Sequence, residues 1–393
     1  MVRTGLEVAL GWLRGNSVPR SGREPAALLR GGRLGLVTNP SAVTRDLTPA
    51  PDALRAGGAR LAALFGPEHG VRGEAADGVK IPHRTDPTTG IPLWSLYGAQ
   101  TRPTPEMLQG LDAILFDIQD VGARFYTFAS TLSHVMSAAH EAGLPVVILD
   151  RPNPLGGKEI EGPILEPEHA SFVGLHPIPI RHAATLGEIG RLWAGYISAS
   201  SPWVVPCSGL RRTWRWEKTG MAWAPPSPAM PGPETALLYP GLCLLEGTNV
   251  SEGRGTACPF RWFGAPWADA ESLAEALNKE ELPGVRFRPV RFVPSASKHA
   301  GQVCAGCQAH VTDAEAFHPV VTGVTVLAAL RRHYPDLFQW RREGDKFPVD
   351  RLAGTAAVRE GIEAGLPWQH FPATWVSGET EHRRRLELIT LYS

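Results

Sequence analysis

The strongest constraint on the fold is a set of four apolar runs that lie before residue 155. They read LGLVTNP at 34–40, LAALFGPEHG at 61–70, AILFDIQDVG at 113–122 and PVVILDRPNP at 145–154. Each begins as continuous hydrophobic sequence, which is typical of strands buried on both faces of a sheet. Helical patterns over 49–56 and 125–142 lie between the runs. Strands that alternate with helices predict a parallel sheet and an α/β fold.

Polar residues end each of these runs. In an open parallel sheet such positions all lie at the carboxyl edge, where ligands bind, so we expect this edge to form the active site. The residues are Asn39 after the first run, Glu68 and His69 after the second, Asp117, Gln119 and Asp120 after the third, and Asp150, Arg151 and Asn153 after the fourth. Two of them also fit a structural role, because Asp117 can tie loops together and Asn39 before Pro40 suits a turn.

The segment 61–78 concentrates titratable residues in a glycine-rich turn. Glu68, His69, Arg72, Glu74 and Asp77 follow the apolar run and the Gly66-Pro67 step that ends it. A carboxylate beside an imidazole, next to glycines that let the backbone approach a ligand, suits acid–base chemistry. A solvated loop with surface charges is the plainer interpretation.

Length and charge narrow the class of protein. The chain has 393 residues, which favours two domains, and Lys+Arg and Asp+Glu balance at 39 each. No basic field therefore indicates binding to nucleic acid. The amino-terminal segment lacks an apolar core of signal-peptide length, and no run approaches the ~20 apolar residues of a membrane span. With an odd number of cysteines, five, we expect a cytoplasmic protein without a disulfide framework.

Several cofactor and nucleophile motifs are absent from the sequence. It contains no G-x-G-x-x-G after the first strand, no G-x-x-x-x-G-K-[ST], no H-E-x-x-H and no G-x-S-x-G. Cys304, Cys307 and His310 resemble a metal-binding cluster, but a closed structural zinc site needs four ligands. We expect these three residues to lie on a strand, and we predict neither a metal nor another cofactor.

The second half of the chain carries further candidate site residues. Thr185 and Glu188 have the spacing of a capping box, which predicts a helix from there to about residue 198. Arg181 and His182 precede that helix and can face the cleft, although a hydrogen bond at the helix entry would equally explain His182. Helices are also expected at 267–279 and 319–333, and a strand at 285–294.

Residues 239–256 form a second polar stretch after an apolar lead. It contains Glu246, Asn249, Glu252 and Arg254. Arg254 has the geometry to clamp a carboxylate. An internal ion pair with Glu246 or Glu252 is the alternative.

Several blocks, in one order, resemble a known family. They include LVTNPSAV, FGPEHGVRGEAADG, DIQDVGARFYTF, LDRPNPLGG, PIPIRHA and YPGLCLLEGTNVSEGRGT, and the similarity extends from about Gly5 to about Thr355. The chain resembles the exo-β-N-acetylmuramidase family (NamZ-like, formerly called YbbC-like). It departs from the family pattern at Ala183, where glycine is usual, at Ala229 in place of asparagine, and at Arg261 in place of an acidic residue.

The resemblance implies a fold and an activity. The fold is a Rossmann-like parallel-sheet domain joined to a smaller C-terminal α/β domain, with the cleft between them. We expect the catalytic domain at 1–205 and the smaller domain, which closes the cleft, at 206–393. The implied activity is removal of a terminal non-reducing β-N-acetylmuramic acid from peptidoglycan fragments, and the partners would be small disaccharides or muropeptides.

Glycoside hydrolysis usually employs two carboxyl groups, one of them a general acid. Glu68, oriented by His69, is the first choice for the acid. The second carboxylate stays open between Glu161, Glu74, Asp120 and Glu252, and the acetamido group of the substrate is an alternative to it. Arg254 is the first choice to bind the lactyl carboxylate, in competition with Arg124, Arg151 and Arg181. The predicted substrate-binding set is Asn39, Glu74, Asp120, Arg124, Tyr126, Asn153, Arg181, His182, Asn249, Glu252 and Arg254.

Two other classes of function remain as alternatives. An amidase or esterase that acts on cell-wall fragments would need a metal or an activated nucleophile, and the sequence shows neither clearly. A non-catalytic muropeptide-binding protein would retain the cleft without the acid, which the presence of Glu68 and His69 disfavours.

Overall fold

A computed structural model describes residues 1–73, 84–98 and 100–393 of the chain. Within this part the strands are β1 Arg33–Thr38, β2 Arg60–Gly66, β3 Arg84–Thr85, β4 Pro92–Ser95, β5 Ala113–Asp117, β6 Val146–Leu149, β7 Trp203–Val205, β8 Trp262–Ala265, β9 Val285–Phe292 and β10 Cys304–Val311. The helices are α1 Gly5–Leu13, α2 Arg23–Gly31, α3 Ala50–Ala56, α4 Pro105–Leu108, α5 Phe128–Glu141, α6 Leu186–Tyr196, α7 Trp216–Thr219, α8 Pro233–Leu242, α9 Ala270–Lys279, α10 Pro319–His333, α11 Pro348–Ala353, α12 Ala357–Glu363 and α13 His370–Glu387.

The predicted parallel sheet is confirmed. Seven strands of the described chain pair in the order β3-β4-β2-β1-β5-β6-β7, and all pairs except β3 with β4 are parallel. The order reverses between β1 and β5, because the chain first builds outward through β2 and later through β6 in the opposite direction. A reversal of this kind opens a crevice at the carboxyl edge of the sheet. The four apolar runs thus form β1, β2, β5 and β6.

The two faces of the sheet pack against different layers. Alternate residues of a strand point to opposite faces, so Leu115 belongs to one apolar cluster while Ile114 and Phe116 belong to the other. Helices α1, α2 and α3 cover the first face, and α5 and α6 cover the second. The second cluster continues without a break into α8, α10 and β10. A shared core therefore joins the large sheet to the C-terminal part of the chain.

The C-terminal part contains a second, smaller sheet. Its three strands in the described chain are antiparallel in the order β8-β10-β9, and α9 packs on β9 and β10. Helix α8 crosses α10 where Gly241 meets Gly323, and a Cβ built on Gly241 would lie 1.8 Å from the Pro319 carbonyl oxygen. This close crossing fixes the end of α8, and with it the polar stretch around Glu246 and Arg254.

Two of the predicted helices begin later in the chain than the sequence pattern indicates. The segment predicted at 125–142 is helical only over α5, because its first residues form a loop at the carboxyl edge. The segment predicted at 267–279 begins at Ala270, because the Asp269 side chain accepts a hydrogen bond from Ser272 N at 2.8 Å and caps the helix. The capping box of Thr185 and Glu188 at α6 is confirmed. In the part of the chain that the structure describes, no helix has both the length and the apolar character that a membrane crossing requires.

Candidate active site

Glu68 lies on a tight turn directly after β2. The Gly70 N–H donates to the Pro67 carbonyl at 3.0 Å, and His69 between them adopts a φ of 73°. A positive φ is unfavourable for a residue other than glycine, and such strain concentrates at functional sites. The turn leaves Glu68 half-buried while His69 is buried. The Thr127 hydroxyl donates to Glu68 Oε2 at 3.4 Å across the loop that follows β5.

Tyr126 lies next to Thr127 in the loop between β5 and α5. Its ring packs edge-to-face on Phe128 and Tyr239, at centroid distances of 4.9 and 5.6 Å. Within the described residues the hydroxyl is buried and completes no hydrogen bond of normal geometry, although Ser227 lies close enough to lower the pKa of the phenol. Burial raises the pKa of Tyr126 well above its usual value; the charges of Asp120 and Glu68 act in the same direction, and Arg254 opposes them. The charges of three predicted site residues from distant segments therefore act on one phenol.

Asp120 is fixed on one side and open on the other. Its Oδ2 accepts from Gly122 N at 2.7 Å and lies 3.5 Å from His182 Nε2. His182 Nδ1 accepts from Ala184 N at 3.3 Å, which leaves the hydrogen on Nε2; that atom lies beside Asp120 but completes no hydrogen bond within the described residues. His182 thus makes the helix-entry hydrogen bond and also lies next to Asp120. Asp120 Oδ1 is buried and likewise has no hydrogen-bond partner among the described residues.

Arg254 belongs to a cluster with two acids and a second cation. Its Nε donates to Glu246 Oε1 at 2.8 Å and lies 3.7 Å from Glu252, while Lys298 pairs with Glu252 at 2.8 Å. The guanidinium also stands 4.9 Å above the Phe260 ring. Arg254 lines an open groove of about 640 Å³ together with Ala229, Trp262 and Phe292. Among the described groups two cations stand beside two carboxylates here, and the internal ion pair considered from sequence is present.

Other predicted binding residues hold the main chain instead of facing the site. Asn39 bonds to Pro226 O and Ser41 N, and Asn153 bonds to Ala184 O and Leu155 N. Asn249 makes the same type of pair with Leu337 O and Gln339 N. Asn39 still serves the site indirectly, because Pro226 adjoins the Ser227 segment beside Tyr126.

Arg124 is buried and joins the two parts of the chain. It donates to the carbonyls of Pro163 and Ile178 at 2.9 and 2.7 Å and to the carbonyl of Leu352 at 2.8 Å. These bonds engage the guanidinium with three main-chain carbonyls. Glu74, predicted to bind substrate, lies outside the described residues.

Glu161 and Arg181 form a buried pair under the start of α10. Their backbones bridge each other, and Glu161 Oε1 accepts from Val321 N at 2.8 Å in the first turn of the helix. Arg181 donates to the Leu155 carbonyl at 3.1 Å. A carboxylate at a helix N-terminus satisfies a free N–H group and complements the helix dipole. This environment favours a structural role for Glu161, one that joins the large sheet to the smaller unit.

Because Glu161 is buried, the free energy of unfolding of the protein should depend on pH. Burial raises the pKa of Glu161 to about 7, against the charge of Arg181 and the Val321 N–H. The folded protein then keeps the proton to higher pH than the unfolded chain, so the free energy of unfolding falls as the pH rises from about 4.5 to about 7. The shift corresponds to about 3 kcal/mol. Denaturant titrations between pH 4.5 and 8 should show Glu161→Gln gaining stability relative to the parent over this window. Glu387→Gln, at an exposed position of α13, serves as the control, and an unchanged difference across the window would contradict the assignment.

Three residues of the site region escaped sequence analysis. Ser227 lies in a proline-rich segment without a motif, Thr127 is a polar residue within an apolar helical pattern, and Lys298 lies in an irregular loop. Only the proximity of Thr127 to Asp120 and Tyr126 along the chain offered a signal.

The two cysteines that resemble part of a metal-binding cluster, Cys304 and Cys307, are three residues apart on β10. Their side chains therefore leave opposite faces of the strand.

Comparisons with known proteins agree with this architecture. The N-terminal model of the exo-beta-N-acetylmuramidase NamZ family matches residues 34–234, and the C-terminal model matches residues 237–392. The chain is 47% identical over 339 residues to peptidoglycan beta-N-acetylmuramidase NamZ of Bacillus subtilis (strain 168), which covers 86% of this chain and 81% of that protein.

Two solved structures from Bacteroides fragilis NCTC 9343, both described as DUF1343 family proteins, share the fold. One superposes with a TM-score of 0.86 at 34% identity, and the other with a TM-score of 0.75 at 28% identity. Each match covers 100% of this chain and 99% of the other. With both family models matched and close identity over most of the length, the chain belongs to the exo-β-N-acetylmuramidase NamZ family.

Proposed function

We propose that this protein is a glycoside hydrolase that removes β-linked N-acetylmuramic acid from the non-reducing end of peptidoglycan fragments. Membership of the NamZ family carries the proposal, and the named activity of the Bacillus subtilis relative supports it. The site agrees with a hydrolase, because the charges of an acid, a second carboxylate and a cation all act on one buried phenol.

Glu68 is the general acid in this proposal. Cleavage of a glycosidic bond needs a proton delivered to the leaving oxygen by a group within hydrogen-bond reach. Glu68 meets the positional requirement, since it stands half-buried on a strained turn at the carboxyl edge of the sheet. His69, next to it in the turn, restricts the backbone that carries the carboxyl group.

The substrates are disaccharides or muropeptides with N-acetylmuramic acid at the non-reducing end, and the place of action is the cytoplasm. The balanced charge of the chain, 39 basic and 39 acidic residues, gives no long-range attraction to the anionic intact wall. Small imported fragments are therefore better substrates in this proposal than intact peptidoglycan.

A pair of isomeric disaccharides tests the proposal. The purified protein should release free N-acetylmuramic acid from MurNAc-β-1,4-GlcNAc and leave GlcNAc-β-1,4-MurNAc intact, as followed by liquid chromatography with mass detection. A chromogenic β-N-acetylmuraminide should be cleaved, and the matching β-N-acetylglucosaminide should be a poor substrate. Cleavage of neither disaccharide would instead support a binding protein, and release of peptide or acetate would support an amidase or esterase.

Arg254 is proposed to read the lactyl carboxylate that distinguishes muramic acid from N-acetylglucosamine. Guanidinium–carboxylate pairs are directional, and a hydrogen bond to a charged group contributes about 1.5–3 kcal/mol. Arg254→Ala should therefore reduce the ratio of kcat/KM for the two chromogenic sugars by about 10- to 100-fold.

Two variants separate recognition from stability. Arg254→Lys keeps a positive charge beside Glu246 and Glu252 but loses the planar fork, so it should fold normally and recover only part of the preference. Arg261→Ala removes a neighbouring arginine that pairs with Glu234 at 2.9 Å, and it should leave the ratio unchanged. An unaltered ratio in Arg254→Ala would assign recognition of the lactyl group to another residue.

A further inference from the structure

Among the buried site atoms that complete no hydrogen bond of normal geometry within the described residues, two have complementary chemistry. They are the Tyr126 hydroxyl and Asp120 Oδ1, in side chains that are 8% and 4% exposed. An unsatisfied buried polar group costs about 1–3 kcal/mol, so such groups are uncommon unless a ligand completes them. These two lie on one loop after β5, and the charges of Asp120 and Glu68 both act on the Tyr126 phenol.

The two atoms differ in hydrogen-bonding character. The carboxylate oxygen is an acceptor, whereas the phenol, whose pKa burial raises, stays protonated and is a donor. An amide presents the complementary pair, an N–H donor and a carbonyl acceptor. The acetamido group at C2 of an N-acetylhexosamine is such an amide, and it stands next to the anomeric carbon.

Asp120 is also held in place from behind. The Gly122 N–H fixes Oδ2, the His182 ring lies 3.5 Å from the same oxygen, and the His182 carbonyl in turn accepts from His382 at 2.9 Å on α13. A Cβ on Gly122 would lie 2.4 Å from Asn153 Oδ1, so this tight turn also depends on glycine. The free Oδ1 therefore projects from a rigid support, as orientation of a reacting group requires.

The other described carboxylates that sequence analysis offered as the second group are engaged elsewhere. Glu161 accepts from the start of α10, and Glu252 is 1% exposed and paired with Lys298. Of the candidates that the structure describes, this leaves Asp120, on the same loop as the Tyr126 phenol.

We propose that Asp120 and Tyr126 bind the acetamido group of the substrate and direct its carbonyl oxygen at C1, so that the substrate supplies its own nucleophile. This inference rests on the proposed function and specifies how the same site works. Asp120 accepts the amide N–H and stabilises the positive charge that develops on nitrogen. Tyr126 donates to the carbonyl oxygen and holds it below the ring.

The two steps balance. In the first, the carbonyl oxygen forms a bond to C1 while the C1–O bond to the leaving sugar breaks, and Glu68 gives its proton to the departing oxygen. The product is a bicyclic oxazolinium ion, balanced by Asp120. In the second step, water attacks C1 from the face that the leaving group vacated, and Glu68 takes a proton from that water. The bond between C1 and the oxygen of the five-membered oxazolinium ring breaks, which restores the acetamide. The configuration at C1 is retained, and one water is consumed for each bond cleaved.

A series of aryl β-muraminides tests the inference. The N-acetyl group is replaced by fluoroacetyl, difluoroacetyl and trifluoroacetyl, which weakens the carbonyl oxygen as a nucleophile with little change in size. We expect kcat/KM to fall steadily along the series, by about 10²-fold from acetyl to trifluoroacetyl. Proton NMR of the first product should show the β-anomer. A stable thiazoline of muramic acid, which imitates the bicyclic ion, should inhibit competitively and bind far more tightly than N-acetylmuramic acid.

Variants assign the roles. Asp120→Asn should lose turnover, should lose most of its affinity for the thiazoline and should respond less to fluorination. Tyr126→Phe, which keeps the aromatic packing, should show a smaller loss of the same kind. Asp345→Asn, at an exposed position, should match the parent in all three readouts.

The outcomes separate this inference from the proposed function. Three outcomes would overturn this inference while the enzyme remains a muramidase. They are a kcat/KM that does not change along the fluorinated series, a first product with inverted configuration at C1, and a 2-fluoro sugar trapped on Asp120 as an ester. Failure to hydrolyse the N-acetyl parent compound would overturn the proposed function and this inference together.

Discussion

Glu68→Gln is expected to reduce turnover of MurNAc-β-1,4-GlcNAc by about 10²–10⁴-fold, the usual contribution of general acid–base catalysis. Glutamine keeps the size of the side chain and can still accept the hydrogen bond from Thr127, but it has no proton to give to the leaving oxygen. Binding should persist, so isothermal titration with the disaccharide should give a Kd close to that of the parent.

The leaving group discriminates a proton donor from a structural residue. An aryl glycoside with an acidic phenol departs without protonation, so the variant should lose much less activity on that substrate than on the disaccharide. A residue that only maintained the turn would lower both activities alike. Glu24→Gln, at an exposed position of α2, is the matched control and should behave as the parent. Parent-like turnover of the disaccharide by Glu68→Gln would remove Glu68 from the mechanism.

The sheet could be predicted from sequence because its signal is local. Continuous apolar runs such as AILFD require burial on both faces, and β5 is buried at every position. The polar residues after each run then had to meet at one edge, since parallel strands all point the same way. The short β3–β4 pair was not predicted, because its strands have two and four residues and carry no pattern of their own.

The roles of individual polar residues could not be predicted in the same way. Asn39 and Asn153 look like ligand-binding residues in the sequence, but each holds main chain whose position depends on tertiary folding. Their partners Pro226 and Ala184 are 187 and 31 residues away. Arg124 reaches Leu352 across 228 residues. The sequence pattern predicts which edge of the sheet carries the polar residues. Only the tertiary contacts show which of these residues hold the main chain and which are left for the reaction.

One departure from the family pattern has a local explanation. Ala183 adopts a φ of 55°, a conformation that favours glycine, and it follows His182 at the entry to α6. The glycine that the family usually places there matches this backbone, and alanine carries the strain instead.

The largest stability effect is expected at the buried pair of Asp117 and Arg151. Arg151 Nε donates to Asp117 Oδ1 at 2.5 Å, and its Nη2 donates to Oδ2 and to the Val43 carbonyl, both at 3.1 Å. The pair thus links the carboxyl ends of β5 and β6 to the loop after β1, at the reversal of strand order. The structural interpretation of Asp117, tying loops together, agrees with these contacts.

Removal of either partner should cost about 3–5 kcal/mol in the free energy of unfolding, because an uncompensated charge stays buried. We expect this for Asp117→Asn and for Arg151→Met, measured by denaturant titration at neutral pH. The double variant should lose less than the sum of the two, since it leaves no isolated charge. The pair of Arg291 and Glu271, each with a side chain 58% exposed, provides the control cycle, and its coupling should be far smaller than that of the buried pair.

The pH dependence separates the two single variants. Burial raises the pKa of Asp117 against the opposing charge of Arg151, so loss of that charge in Arg151→Met should raise the pKa further. The folded state of this variant then holds a proton that the unfolded chain releases, and its stability should decrease as the pH rises through that pKa. At acidic pH the carboxyl group is neutral, so the loss in free energy of unfolding relative to the parent should become smaller. Asp117→Asn has no titrating group at this position and should show no such recovery. Equal pH profiles for the two variants, or single losses as small as those of the exposed pair, would show that this contact does not hold the edge of the sheet together.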